Sequence, residues 1–173
     1  MKIQYLITAA VLMGLGVLGC SKKADPANAE SGAGASAQSS TASAAANGVW
    51  MTDFDAAKAK AAAEGKDLLI DFSGSDWCYW CKKLDGEVFS KPGFIEEAGK
   101  QFVFVMIDFP SNKSGQTQDL QAQNKRLAGV YQIQGYPTIV LARADGTPYA
   151  ETGYQEGGAD VYLAHLKELR EKR

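Results

Sequence analysis

The chain has 173 residues, a formal net charge of −2 and an apolar fraction of 46%, with three cysteines and one histidine. That length holds one ordinary domain with extra chain rather than a large multidomain assembly. The slightly acidic balance excludes the basic footprint of a nucleic-acid binder, and one histidine leaves little material for a nitrogen-ligated metal centre. There is no internal repeat. Gly153, Gly157 and Gly158 lack the G-x-G-x-x-G spacing of a phosphate-cradling loop.

Residues 1–19 read as a targeting leader: Lys2, then a mostly apolar run from Ile3 to Leu18 that is too short to span a bilayer comfortably. Val17-Leu18-Gly19-Cys20 resembles the lipobox of bacterial lipoprotein signal peptides, with a small residue, Gly19, ahead of the cysteine. The resemblance implies that Cys20 is lipidated, becomes the mature N-terminus and anchors the chain to a membrane of the bacterial cell envelope, facing the periplasm. An ordinary signal peptide that leaves Cys20 as a free thiol is the other reading. Residues 20–48 are dominated by Ala, Ser and Gly and contain no aromatic side chain. Such a segment cannot bury enough surface to offset its ordering entropy, so a disordered tether is expected there.

Residues 49–173 carry the aromatic and branched side chains of a core and form the expected domain. Asp53 to Glu64 begins with capping residues, is rich in helix formers and stops at Gly65. Asp67 to Phe72 and Phe102 to Ile107 are apolar runs of buried-strand type, and helical sequence between them completes a βαβ unit. That intervening stretch breaks near Ser90-Lys91-Pro92, where Ser90 is expected to cap a second short helix. Pro110 to Gln116 is a polar loop, and Gln118 to Gly129 is helical. Thr138 to Ala142 and Pro148 to Thr152 flank the hairpin signal Asp145-Gly146, and Ala159 to Lys172 closes the chain as a helix.

Cys78-Tyr79-Trp80-Cys81 follows the first strand and opens the first helix of the βαβ unit. Two thiols at this spacing can close a small disulfide, while free N–H groups and the helix dipole stabilise a thiolate on the first sulfur. Cys78 is therefore expected to be the exposed attacking thiol, and Cys81, one turn in, the more buried resolving thiol. A zinc site wants about four ligands, and the remaining candidates are Cys20 and the distant His165. Covalent haem would need His where Lys82 stands. No metal or organic cofactor is expected.

Ile70-Asp71-Phe72, Trp77-Cys78-Tyr79-Trp80-Cys81-Lys82 and Gly135-Tyr136-Pro137-Thr138 occur in that order, and together they resemble the thioredoxin superfamily, nearest to bacterial thioredoxin-like lipoproteins with a WCxxC motif. The resemblance covers residues 49–173 and implies a thioredoxin-like three-layer α/β fold with a central mixed sheet. It implies that Asp71 is a buried acid serving the resolving thiol and that Pro137 is cis, with Tyr136 and Thr138 offering backbone to a substrate. From the residues alone, a solvated strand-end Asp71 and a trans, strand-entry Pro137 are the alternatives. Trp77 is expected beside the site, and Tyr79 and Trp80 as an apolar contact surface. Asp76 reads as a turn residue, and His165 as an ordinary helix residue. Departures from the thioredoxin pattern are Tyr-Trp between the cysteines, an extra residue between Asp71 and Cys78, and a longer loop from Ser111 to Gln118.

The expected function is an envelope thiol–disulfide oxidoreductase, monomeric, acting on protein thiols and disulfides and recharged by an envelope electron donor. The alternative is a non-catalytic binding module with a structural Cys78–Cys81 disulfide.

Overall fold

The computed structural model describes residues 49–173. The leader, Cys20 and the tether, residues 1–48, lie outside the described residues. Helix α1 (Phe54–Glu64) starts where the Asp53 carboxylate accepts the Ala56 N–H at 2.9 Å, and it ends at Gly65, whose φ of 65° glycine adopts without steric cost. Its surface is alanine-rich, and Phe54, Ala57 and Ala61 form the buried stripe.

Strand β1 (Asp67–Ser73) is buried along its whole length, which is why it reads as an unbroken run rather than an alternation. It pairs parallel with β2 (Phe102–Asp108) and antiparallel with β3 (Thr138–Ala142), and β3 pairs antiparallel with β4 (Pro148–Thr152). The strand order β2-β1-β3-β4 makes the sheet mixed. Between β1 and β2 run α2 (Tyr79–Leu84), a π-helical turn (Asp85–Phe89) and α3 (Pro92–Gly99). Helix α4 (Gln118–Val130) leads into β3, and α5 (Gly158–Glu171) follows β4. Outside β2, the Met51 N–H donates to the Phe104 carbonyl at 3.0 Å and its carbonyl accepts from the Met106 N–H at 2.8 Å.

The two-residue period of the strands sorts the side chains into two cores. Leu68, Ile70 and Phe72 join Val103, Val105 and Ile107 under α1 and Leu127 of α4. Leu69, Phe104, Ile139 and Leu141 face Leu84, Val88, Phe89, Phe94 and Tyr162 from the opposite helical layer. This is the expected three-layer arrangement. By the same alternation Asp71 and Ser73 share the Leu69 face, and the parallel register sets Met106 and Asp108 beside them. At the far end of β1, Asp67 is buried and compensated: its Oδ2 accepts from Tyr149 OH at 3.0 Å and Arg170 Nε at 3.1 Å, with Arg173 Nη1 at 3.2 Å.

The structure corrects one local expectation. Ser90 does not cap α3; Lys91 holds the N-cap position without a side-chain bond, and Pro92 begins the helix with its φ already set. Ser90 instead closes the π-helical turn, donating its N–H to the Asp85 carbonyl at 2.9 Å. The polar loop after β2 also contains a short 3₁₀ turn, Lys113–Gly115, capped by Asn112.

Candidate active site

Beyond Ser73 the chain turns through Gly74 to Trp77 and enters α2 with Cys78 as N-cap. The Cys78 sulfur takes the place of a Ser or Asp cap oxygen and accepts the Cys81 N–H at 3.2 Å. Cys78 and Cys81 are joined as a disulfide, with Cα atoms 5.3 Å apart. The expected contrast in exposure is absent: Cys78 is 6% and Cys81 5% exposed. In this disulfide state the Cys78 sulfur lies over the first turn, against the Cys81 N–H, and is as buried as its partner.

Three consecutive residues ahead of Cys78 bind the last residue of β2 and the segment that follows it. Ser75 donates its N–H and hydroxyl to Asp108, at 2.9 and 2.6 Å. The Asp76 carboxylate accepts the N–H groups of Ser111 and Asn112 at 2.9 and 3.0 Å, and these bonds hold its carboxyl below the usual range. Trp77 Nε1 donates to the Phe109 carbonyl at 2.8 Å. Asp76 is thus a turn residue that also ties down the inserted loop.

The Trp77 ring meets Tyr136 edge-on at 5.7 Å, which brings the Gly135–Thr138 loop against the residue preceding Cys78. The Tyr136–Pro137 bond is cis. Thr138, buried, starts β3 and donates its hydroxyl to the Gly135 carbonyl at 2.8 Å. Tyr79 is 66% exposed, and Trp77 and Trp80 are each 49% exposed, so the three aromatics surround the cysteines with apolar surface facing solvent. Trp80 stacks on Tyr154 at 5.1 Å, and Lys83 Nζ lies over both rings. Tyr154 OH in turn donates to Glu87 at 2.7 Å. The lysines next to Cys81 are therefore committed: Lys83 to those rings, Lys82 to the Asp76 carbonyl.

Asp71 is 4% exposed, which excludes the solvated strand-end reading. Its Oδ1 is a buried side-chain oxygen without a hydrogen-bond partner. Burial, reinforced by the charges of Asp108 and Asp85, pushes its carboxyl well above the usual range. His165 sits on α5, its Nε2 2.8 Å from Thr152 Oγ1, as a helix residue with a local partner. Among the described residues no cluster of three or more His, Cys, Asp or Glu could hold a metal ion, and no helix is long and apolar enough to cross a membrane.

Four positions escaped sequence reasoning: Gly74, Ser75, Asp108 and Tyr154. Their partners lie far along the chain or, for Gly74, in a ring whose placement depends on the fold. Gly74 is required by packing, since a Cβ there would stand 2.5 Å from Trp77 Cε2.

A disulfide closed across the start of a helix, above a mixed sheet and beside a cis-proline loop, defines a dithiol protein of thioredoxin architecture. The chain belongs to the thioredoxin-like domain family, which matches residues 54–170. It is 32% identical over 102 residues to the disulfide bond reductase DsbH of Chlamydia pneumoniae, covering 59% of this chain and 61% of DsbH. It is 30% identical over 114 residues to the thiol:disulfide interchange protein DsbD of Klebsiella pneumoniae, covering 64% of this chain and 17% of DsbD. The match thus spans less than two thirds of either relative. The solved structure of a DsbH oxidoreductase superposes with a TM-score of 0.66 at 28% identity, covering 72% of this chain and 85% of that one.

Proposed function

We propose that this protein is an envelope thiol–disulfide oxidoreductase that reduces or isomerises protein disulfides through Cys78 and Cys81. The observation that carries the proposal is the Cys78 sulfur at the N-cap of α2, receiving the Cys81 N–H at 3.2 Å in the layer flanked by the cis-Pro137 loop. The same N–H that caps the disulfide would stabilise a Cys78 thiolate. Similarity to a protein named as a disulfide bond reductase supports the same chemistry.

In the reducing direction the Cys78 thiolate attacks one sulfur of a substrate disulfide, forming a mixed disulfide and releasing the other sulfur as thiolate. Cys81 then gives its proton to Asp71 in its ionised form and attacks the Cys78 sulfur. The second substrate sulfur leaves, the Cys78–Cys81 bond closes, and two electrons have passed to the substrate. An envelope electron donor must return them. Trp77, Tyr79 and Trp80, with the backbone of Tyr136 and Thr138 around Pro137, would receive an extended, partly folded polypeptide. Cys20, lipidated, would anchor the chain to the membrane and leave a monomeric domain facing the periplasm. Intact-mass measurement of the mature protein checks the anchor, and an unmodified Cys20 would overturn it.

Insulin reduction with dithiothreitol tests the activity. Cys78→Ser should abolish turnover, and Cys81→Ala should accumulate mixed disulfides with clients. The second reading, a binding module stapled by Cys78–Cys81, draws on the burial of both sulfurs. A bridge closing so short a loop restrains the unfolded chain little, however, so stability is a weak reason for it. Turnover that survives Cys78→Ser would favour this second reading.

A further inference from the structure

The proposed chemistry leaves one firmly placed carboxylate beside this layer without a role, that of Asp108. Its side chain is anchored from one direction by both polar groups of Ser75, and its carbonyl accepts Asn124 Nδ2 at 2.9 Å and Gln116 Nε2 at 3.0 Å. Asn124 is itself buried. The end of β2 is therefore held rigidly, with a carboxylate at a fixed point. Ser73 pairs with Asp108 and Asp71 with Met106 in parallel register, so Asp71 and Asp108 share one face of the sheet as diagonal neighbours, about 8 Å apart at Cα. That face lies under α2, where the disulfide closes.

We propose that Asp108 is a positioning residue for Asp71: the carboxylate held by Ser75 disfavours the ionised form of Asp71, and so sets how much Asp71 has already lost its own proton to solvent and is free to take the Cys81 proton in the resolving step. The inference rests on the reading of Asp71 as the acid that serves Cys81. The groups facing Asp71 are few. In the sheet Asp71 pairs with Met106 of β2 and the apolar Ile139 of β3, with Asp108 as its diagonal neighbour; Asp85 of the π-helical turn and the Tyr162 hydroxyl of α5 are the other titratable groups that act on it or feel it. The charged neighbours of Asp71, Asp108 and Asp85, are both carboxylates. Asp85 is exposed at the helix surface, whereas Asp108 is half-buried and fixed. The Tyr162 hydroxyl is already committed to the Gly153 carbonyl at 3.1 Å. With no hydrogen-bond donor at Oδ1 and a fixed negative neighbour, nothing at that oxygen stabilises the ionised form of Asp71.

The test follows the Asp71 carboxyl carbon by NMR titration of the oxidised full chain. It also follows the second of the two thionitrobenzoate releases when reduced protein meets the aromatic disulfide of that thiol. The first release reports attack by Cys78, the second resolution by Cys81. Asp108→Asn preserves shape and removes the charge; the Asp71 midpoint and the pH midpoint of the second release should both fall by about one unit. Asp108→Glu, which keeps the charge, should restore both. Ser75→Ala, at an exposed loop position, loosens the anchor and should move both in the same direction by less. Unchanged midpoints in Asp108→Asn and Ser75→Ala, or an equal fall in Asp108→Glu, would overturn the proposal. Asp71→Asn separates the underlying reading: if it leaves the pH profile of the second release intact, Asp71 is not the acid that serves Cys81, whatever Asp108 does.

Discussion

Replacing Gly74 with alanine probes how the approach loop holds the aromatic beside the cysteines. The added Cβ would stand 2.5 Å from Cε2 and 2.6 Å from Cζ2 of Trp77. Carbon atoms pack at about 3.5–4.0 Å, so the ring must retreat by roughly 1 Å. Retreat breaks the 2.8 Å bond from Trp77 Nε1 to the Phe109 carbonyl and loosens the edge contact with Tyr136 at 5.7 Å. The bond is worth about 1 kcal/mol and the aromatic contact about as much again, giving a loss of about 2 kcal/mol. The cost stops there because the ring is already 49% exposed and has solvent to swing into. In a domain of this size that corresponds to a fall in Tm of about 8 °C. The assay is thermal unfolding of the oxidised protein in a double-mutant cycle with Trp77→Ala. In the Trp77→Ala background the Gly74→Ala substitution should cost almost nothing. A full penalty in both backgrounds, or none in either, would refute the reasoning.

Stability should also carry a signature of Asp71. Its carboxyl keeps a proton well above the usual range when folded but titrates near 3.9 when unfolded, so unfolding releases a proton between those values. Stability is therefore lost as pH rises from about 4 towards the folded value, and Asp71→Asn, which does not titrate, should gain on the wild type over that window. A difference in Tm that does not change with pH would contradict this. The Asp76 carboxyl, held low by the Ser111 and Asn112 N–H groups, works in the opposite sense: its contribution is present above about pH 4 and lost as pH falls through the folded value. Asp76→Ala should raise hydrogen exchange at the Ser111 and Asn112 amides, and unaltered protection there would show that the loop holds without it. For the redox couple, Tyr79 and Trp80 offer no cation to a Cys78 thiolate, and Lys83 is engaged over Trp80 and Tyr154. Equilibration with glutathione should place the potential at roughly −270 to −180 mV, and a value above about −140 mV would exclude the reducing direction. Tyr79→His should move it upward.

Much of this was legible in the sequence because the signals are local. The strand at Asp67 announces itself by an apolar run, α1 by Asp53 and Gly65, and the hairpin by the strands that flank Asp145-Gly146. The cysteine pair and the exposed aromatics were legible from their spacing at the start of a helix, whereas the cis proline came only with the family resemblance. Ser90 was misassigned because a π-helical turn ends on it, and the extra residue that such a turn accommodates leaves no period to read. The equal burial of the two sulfurs was missed because spacing gives a position on a helix, whereas accessibility depends on the oxidation state and on what folds over it. Ser75 and Asp108 are 33 residues apart and meet through the parallel register, which no local pattern encodes.

The strip of backbone at Met51 bears on a different hazard. A parallel edge such as β2 presents unpaired N–H and C=O groups that another chain can use as a template. Here Met51 occupies the middle of that edge with two hydrogen bonds, and on the opposite side β4 begins with a proline and carries the exposed Glu151. A protein proposed to hold extended, non-native polypeptides beside its disulfide thus guards both rims of its own sheet. On that proposal, clients would be engaged at the aromatic tip without being recruited, strand upon strand, into an aggregate seeded by the enzyme itself.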